Sequence, residues 1–160
     1  MNDTPNRRKA NSVASYAEPI LEGRHLKKTY KLGRASVPAL LDASLEIQQG
    51  EWMTILGSSG SGKSTVLHLL GGLDRPDEGG GEVLFRGESV WARSNRQINQ
   101  FRNHEVGFVF QFYHLLPELS VLENTILPAM IGRLGGSTAD SRARGIALLE
   151  QFGLGHRLAH

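Results

Sequence analysis

Residues Gly57-Ser58-Ser59-Gly60-Ser61-Gly62-Lys63-Ser64-Thr65 constrain this chain more than any other stretch, because they follow the phosphate-binding loop pattern G-x-x-x-x-G-K-[ST]. A run of strand character, Trp52-Met53-Thr54-Ile55-Leu56, precedes them, and a run of helix character, Val66-Leu67-His68-Leu69-Leu70, follows. Strand, loop and helix in that order separate a working loop from a chance string. Glycines let the backbone curl so that successive N–H groups point into one anion-sized hollow, and the new helix adds its positive end. In such a loop Lys63 is expected to reach the β- and γ-phosphates of a nucleotide, and the Ser64 hydroxyl to sit on Mg2+. The competing reading is a Gly/Ser-rich turn that only caps a helix, and the flanking runs argue against it.

A chain of 160 residues is about one domain and long enough for a real core. Its 39% hydrophobic and 21% charged residues are ordinary for a soluble globular protein. It has no cysteine, which removes disulfides and Cys-based metal sites and fits a cytosolic setting. The net charge is +2, and the basic excess is local: Arg7, Arg8, Lys9, Arg24, Lys27, Lys28, Lys31 and Arg34 face only Asp3, Glu18 and Glu22 over residues 1–34. Nucleic-acid binding would call for basic residues interleaved with aromatics in a defined motif, so a solvated tail and strand edge is the better reading and no nucleic-acid partner is expected. Met1–Ala17 has no apolar core of a signal peptide and reads as part of a disordered leader. No apolar run approaches the roughly 18 residues of a membrane span, so any membrane role is expected to come through a partner.

Alternating apolar and polar residues predict strands over Glu22–Tyr30 and Ala39–Ile47, with a turn at Gln48-Gln49-Gly50. The helix opening at Gly62 is expected to stop at Gly71-Gly72. A loop follows from Leu73 to Gly81, then a short strand over Glu82–Phe85 and a helical turn or two over Arg96–Arg102. Val106-Gly107-Phe108-Val109-Phe110 is nearly continuously apolar, which predicts a strand buried on both faces. Helical spacing covers Val121–Ile131 and Ala139–Phe152, the latter with an apolar stripe at Ile146, Leu148, Leu149 and Phe152. Isolated histidines such as His68, His104 and His156 read as solvated or core residues rather than ligands.

Two further runs, Leu67-His68-Leu69-Leu70-Gly71-Gly72-Leu73-Asp74-Arg75-Pro76 and Gly107-Phe108-Val109-Phe110-Gln111-Phe112-Tyr113-His114-Leu115-Leu116-Pro117, resemble ABC-transporter ATP-binding subunits. Their wording is similar to the lipoprotein-releasing and macrolide-export branch, and Leu122-Glu123-Asn124 followed by Leu127-Pro128 continues the match. The resemblance covers roughly residues 20–160. It implies an α/β fold, a P-loop NTPase core of the ABC ATPase type with a mixed sheet around the P-loop helix and the start of a helical subdomain. The implied division is a disordered leader over 1–19, the N-terminal part of the nucleotide-binding core over 20–111, and the beginning of the helical subdomain over 112–160.

The resemblance also implies roles for matched positions. Gly57, Ser58, Ser59, Gly60, Ser61, Gly62, Lys63, Ser64 and Thr65 would hold the phosphates of ATP, and Tyr30 would stack on adenine. Gln111 would touch Mg2+ and the attacking water, making Lys63 and Gln111 the catalytic candidates and Ser64 and Gln111 the metal contacts. The segment from His114 to Glu123 would lie near the coupling surface for a transmembrane permease. A second ATP-binding subunit would pack head to tail, and the assembly would sit on the cytoplasmic face of the cell membrane through its permease.

Two departures stand out. Gly79-Gly80-Gly81 occupies a place where the family usually has a single Gly, and extra residues in a surface turn are expected to be tolerated. No segment after Gln111 resembles the family's L-S-G-G-Q signature, its acidic strand or its switch histidine, and the apolar run Ala39-Leu40-Leu41-Asp42 comes too early to serve as that strand. The expectation is therefore an N-terminal fragment, with the last core strands missing, exposed apolar surface and poor solubility, able to bind ATP without hydrolysing it efficiently. Two other readings remain: a module that binds nucleotide without turnover, and another P-loop class such as a GTPase. The second is disfavoured by the lack of an N-K-x-D motif, and the D-x-x-G match at Asp77-Glu78-Gly79-Gly80 follows no strand.

Overall fold

A computed structural model of the chain describes residues 18–132 and 137–160. Apart from Glu18 and Pro19, the expected leader lies outside the described residues. Strands β1 (Leu21–Leu32) and β2 (Ala35–Ile47) form a long antiparallel hairpin in which Leu32 faces Ala35 across the turn. Gly33 opens that turn at φ 61°, a left-handed conformation that glycine adopts without a side-chain clash. Strand β3 (Glu82–Phe85) adds antiparallel to the first residues of β1, and the short β4 (Glu88–Ser89) pairs with β3. The resulting sheet has the order β2-β1-β3-β4.

Helix α1 (Lys63–Leu70) follows the P-loop and buries Thr65, Val66, Leu69 and Leu70, the spacing of one helical face. It packs on the hairpin. Leu26, Leu40, Val66, Leu69, Leu70, Val83, Val90 and Phe101 form one core, with Leu26, Leu69, Val83 and Val90 closed from solvent. Each such aliphatic side chain contributes about 1.5–3 kcal/mol by leaving water. Helix α2 (Asn95–His104) supplies Phe101 and starts with a reciprocal capping box, the Ser94 hydroxyl accepting from the Gln97 N–H and the Gln97 side chain accepting from the Ser94 N–H.

Helices α3 (Val121–Gly132) and α4 (Thr138–Gln151) build a second cluster around Leu122, Ile126 and Leu149. Gly145 makes their close approach feasible, since a Cβ there would run into the Ile126 side chain. The two clusters are joined where the Asn103 side-chain amide of α2 donates to the Pro128 carbonyl of α3 at 3.0 Å.

Three expectations are corrected. Trp52–Leu56 and Val106–Phe110 are not strands: among the described residues neither run joins the sheet, and Trp52 (99% exposed), Leu56 (86%) and Val109 stand in solvent. Apolar composition cannot make a strand without a neighbour to complete its hydrogen bonds. The α4 stripe is also displaced in part. Leu149 is buried and Ile146 packs against the same cluster, as expected, but Leu148 and Phe152 are exposed and the inward face is completed by Ser141 and Gly145, small residues that admit α3. Finally, the triple glycine is more than a surface turn. Gly80 is buried and its carbonyl accepts from the Lys27 N–H at 2.8 Å, and a Cβ at Gly81 would collide with the Arg24 and His25 carbonyls.

Candidate nucleotide-binding site

The P-loop derives its shape from two glycines in left-handed backbone, Gly60 at φ 78° and Gly62 at φ 87°. Gly62 is doubly constrained, since a Cβ there would lie 2.6 Å from the Ala39 carbonyl oxygen and 2.7 Å from Leu40 Cδ2. The hairpin strand β2 therefore fixes where the loop turns into α1. No side chain caps α1, and its first turn holds no acidic residue. Among the described residues the N–H groups of Lys63, Ser64 and Thr65 have no protein acceptor, so they form a donor cluster with the helix dipole behind it.

The Lys63 ammonium lies across the loop, donating to the Gly57 carbonyl at 2.9 Å and the Ser58 carbonyl at 2.6 Å, with Ser61 Oγ at 3.4 Å. Its positive charge thus lies on the loop that leads into the free N–H groups of α1. Gly57 to Ser61 and Ser64 are exposed, while Thr65 is buried under the loop. The Ser64 hydroxyl and the Gln111 amide oxygen are hard donors of the kind Mg2+ takes.

Tyr30 sits near the end of β1, half-buried, with its hydroxyl donating to Asp74 Oδ2 at 2.9 Å. Burial and this hydrogen bond push the phenol above its ordinary range, against an opposing effect of the Thr65 hydroxyl. Tyr30 thus lies beside Thr65 in the first turn of α1. Asp74 also accepts from the Lys28 ammonium at 2.6 Å through Oδ1. Burial alone would raise the Asp74 carboxyl, but hydrogen bonds from Lys28, Tyr30 and the Arg75 N–H outweigh it and hold the group below its ordinary value.

Gln111 lies apart. It is exposed and makes no hydrogen bond to the P-loop among the described residues. Beyond it the chain turns back at His114, which has φ 48° and packs its ring edge-on to Phe110 at 4.7 Å. Asn124 then pins the following turn: its Oδ1 accepts from the Leu116 N–H at 2.9 Å, and its Nδ2 donates to the Leu116, Leu119 and Ser120 carbonyls. In the sequence Asp74 and Asn124 stand out only as members of longer motifs. For Asp74 a local signal existed, the Gly71-Gly72 helix stop that fixes where the chain goes next.

Residues 40–160 match the ABC transporter family. The lipoprotein-releasing system ATP-binding protein LolD of Pseudomonas syringae pv. tomato is 49% identical over 141 residues, 88% of this chain and 60% of that protein. LolD of Geobacter metallireducens is 45% identical over 88% of this chain and 61% of its own length. Among solved structures, the dimeric ATP-binding cassette MJ0796 in a post-hydrolysis state with ADP and Pi superposes with a TM-score of 0.75 at 36% identity, over 87% of this chain and 60% of that one. The chain thus spans about 60% of the length of these relatives. With a P-loop core of the ABC ATPase type and a family match over most of its residues, the chain belongs to the ABC transporter family.

Proposed function

We propose that this chain carries the ATP-binding half-site of an ABC transporter subunit that works with a transmembrane permease in lipoprotein release or a related export. The observation that carries the reading is the free N–H cluster of Lys63, Ser64 and Thr65 at the end of a loop whose turn is enforced by Gly62. Such an N-terminus with a lysine over it is an anion site by construction. Lys63 and the loop amides hold the triphosphate, Tyr30 stacks on adenine, and Ser64 and Gln111 supply oxygens to Mg2+, which when bound offsets charge on the phosphates. The similarity to LolD proteins supports the branch, and the dimeric cassette structures support a head-to-tail pair with a second ATP-binding subunit. The permease would hold the subunit at the cytoplasmic face of the membrane, and among the described residues no helix is long and apolar enough to cross it.

Within these residues the site binds ATP and lacks an assigned carboxylate to polarise water, so binding without efficient turnover is the proposed behaviour of this stretch. Titration with ATP and with GTP, each with and without Mg2+, tests the reading. ATP binding strengthened by Mg2+ supports it; equal affinity for both nucleotides that ignores Tyr30→Ala contradicts the adenine assignment.

A further inference from the structure

Helix α1 ends in a Schellman motif: the Gly72 N–H, at φ 69°, donates to the Leu69 carbonyl at 3.1 Å and the Leu73 N–H to the His68 carbonyl at 2.9 Å. The Asp74 N–H adds a bond to the same His68 carbonyl at 3.2 Å. The stop therefore sets the place of Asp74 by backbone alone. From there its carboxylate reaches β1, one oxygen taking Lys28 and the other taking the Tyr30 hydroxyl. Lys28 itself donates a second time, to the Arg75 carbonyl at 2.7 Å, and its ammonium lies 5.3 Å from the centre of the Tyr30 ring. Side chains of Lys28 and Asp74 are only 13% and 29% exposed, so this pair is not a solvent-screened surface contact.

From this arrangement we infer that Asp74, braced by Lys28, is a positioning residue that fixes the Tyr30 ring as a base platform before nucleotide arrives. The inference deepens the proposed function and rests on its reading of Tyr30 as the adenine contact. Physically, a tyrosine tethered at its hydroxyl has already lost its rotamer freedom. Without the tether, ordering the ring falls on the binding step, at the cost in affinity of immobilising one side chain. The loss concerns the base alone, because Lys63 and the loop amides hold the phosphates independently.

The test measures affinity of the full chain for Mg-ATP and for inorganic tripolyphosphate, which has the phosphates and no base. Asp74→Ala and Tyr30→Phe should each weaken ATP by about two- to tenfold and leave tripolyphosphate within about twofold. The double variant Asp74→Ala/Tyr30→Phe should lose no more than the larger single loss, because both remove one tether. Tyr30→Ala separates the two levels. If it leaves the ATP-to-tripolyphosphate ratio unchanged, the platform itself is wrong. If it lowers the ratio while Asp74→Ala and Tyr30→Phe do not, the platform stands and the positioning role of Asp74 is overturned. A parallel loss of both ligands in Asp74→Ala also overturns it, since that is the behaviour of a residue serving only the fold.

Discussion

The Phe108 ring fills the space directly over Gly71, where any Cβ would overlap the ring carbons. This contact joins the end of the P-loop helix to the run that leads into Gln111. Gly71 has φ −82°, so its backbone is open to any residue and the constraint is purely steric. Gly71→Ala should therefore displace Phe108 and destabilise the protein by about 1–3 kcal/mol, the usual range for overpacking. Urea denaturation measures it, and a neutral result would mean that Phe108 does not sit there in solution.

In the main core, Leu69 is closed from solvent between the helix and the hairpin. Leu69→Ala should lower stability by about 2–5 kcal/mol through lost transfer energy and the cavity left behind. Leu67→Ala on the same helix, at a site 52% exposed, should cost far less, and equal losses would contradict the assigned helix face.

Asn124 is a local clamp, and its loss should be felt locally. Asn124→Ala frees the Leu116 N–H and the Leu116, Leu119 and Ser120 carbonyls. Amide exchange at Leu116 should speed up by about tenfold, the effect of one net hydrogen bond, with the sheet amides unchanged. Uniformly faster exchange would assign Asn124 to global stability instead.

Hydrogen bonding holds the Asp74 carboxyl below its ordinary value of 3.8. A group depressed in the folded state contributes stability that is present above its unfolded pKa and is lost as pH falls through the folded value. The stability advantage of the native chain over Asp74→Asn should thus be full at about pH 6 and shrink below about pH 4. Thermal melts of both proteins across that window check it, and a constant difference would contradict the ionised network. Tyr30 works in the other direction: its raised phenol contributes below its ordinary value of 10.0, and that contribution is lost as pH rises through the folded value.

What could be read from residues alone, and what could not, divides along a physical line. Elements whose signals are local were legible: the hairpin strands, the helix between Gly62 and Gly71, the short β3, and the helices α2, α3 and α4. The P-loop was legible because its glycines are required by backbone conformation. Trp52–Leu56 and Val106–Phe110 were misread because strand formation depends on partners that a linear pattern does not contain. In α4 the Ile146 and Leu149 part of the stripe was legible, whereas Leu148 and Phe152 were misplaced for a related reason, since Gly145 and Ser141 face inward to admit α3. Asp74 escaped notice as a site residue because its partners, Lys28 and Tyr30, are more than forty residues away in sequence.

The central claim is that the loop over Gly57–Thr65 holds the phosphates of ATP, with Lys63 as its charge. Calorimetric titration of Mg-ATP into the full chain and into Lys63→Ala tests it most directly. The account predicts saturable binding to the native chain and a loss of at least about a hundredfold in Lys63→Ala, as expected when a charge-assisted contact to phosphate is removed. Binding of Mg-ATP that is unchanged in Lys63→Ala would contradict it.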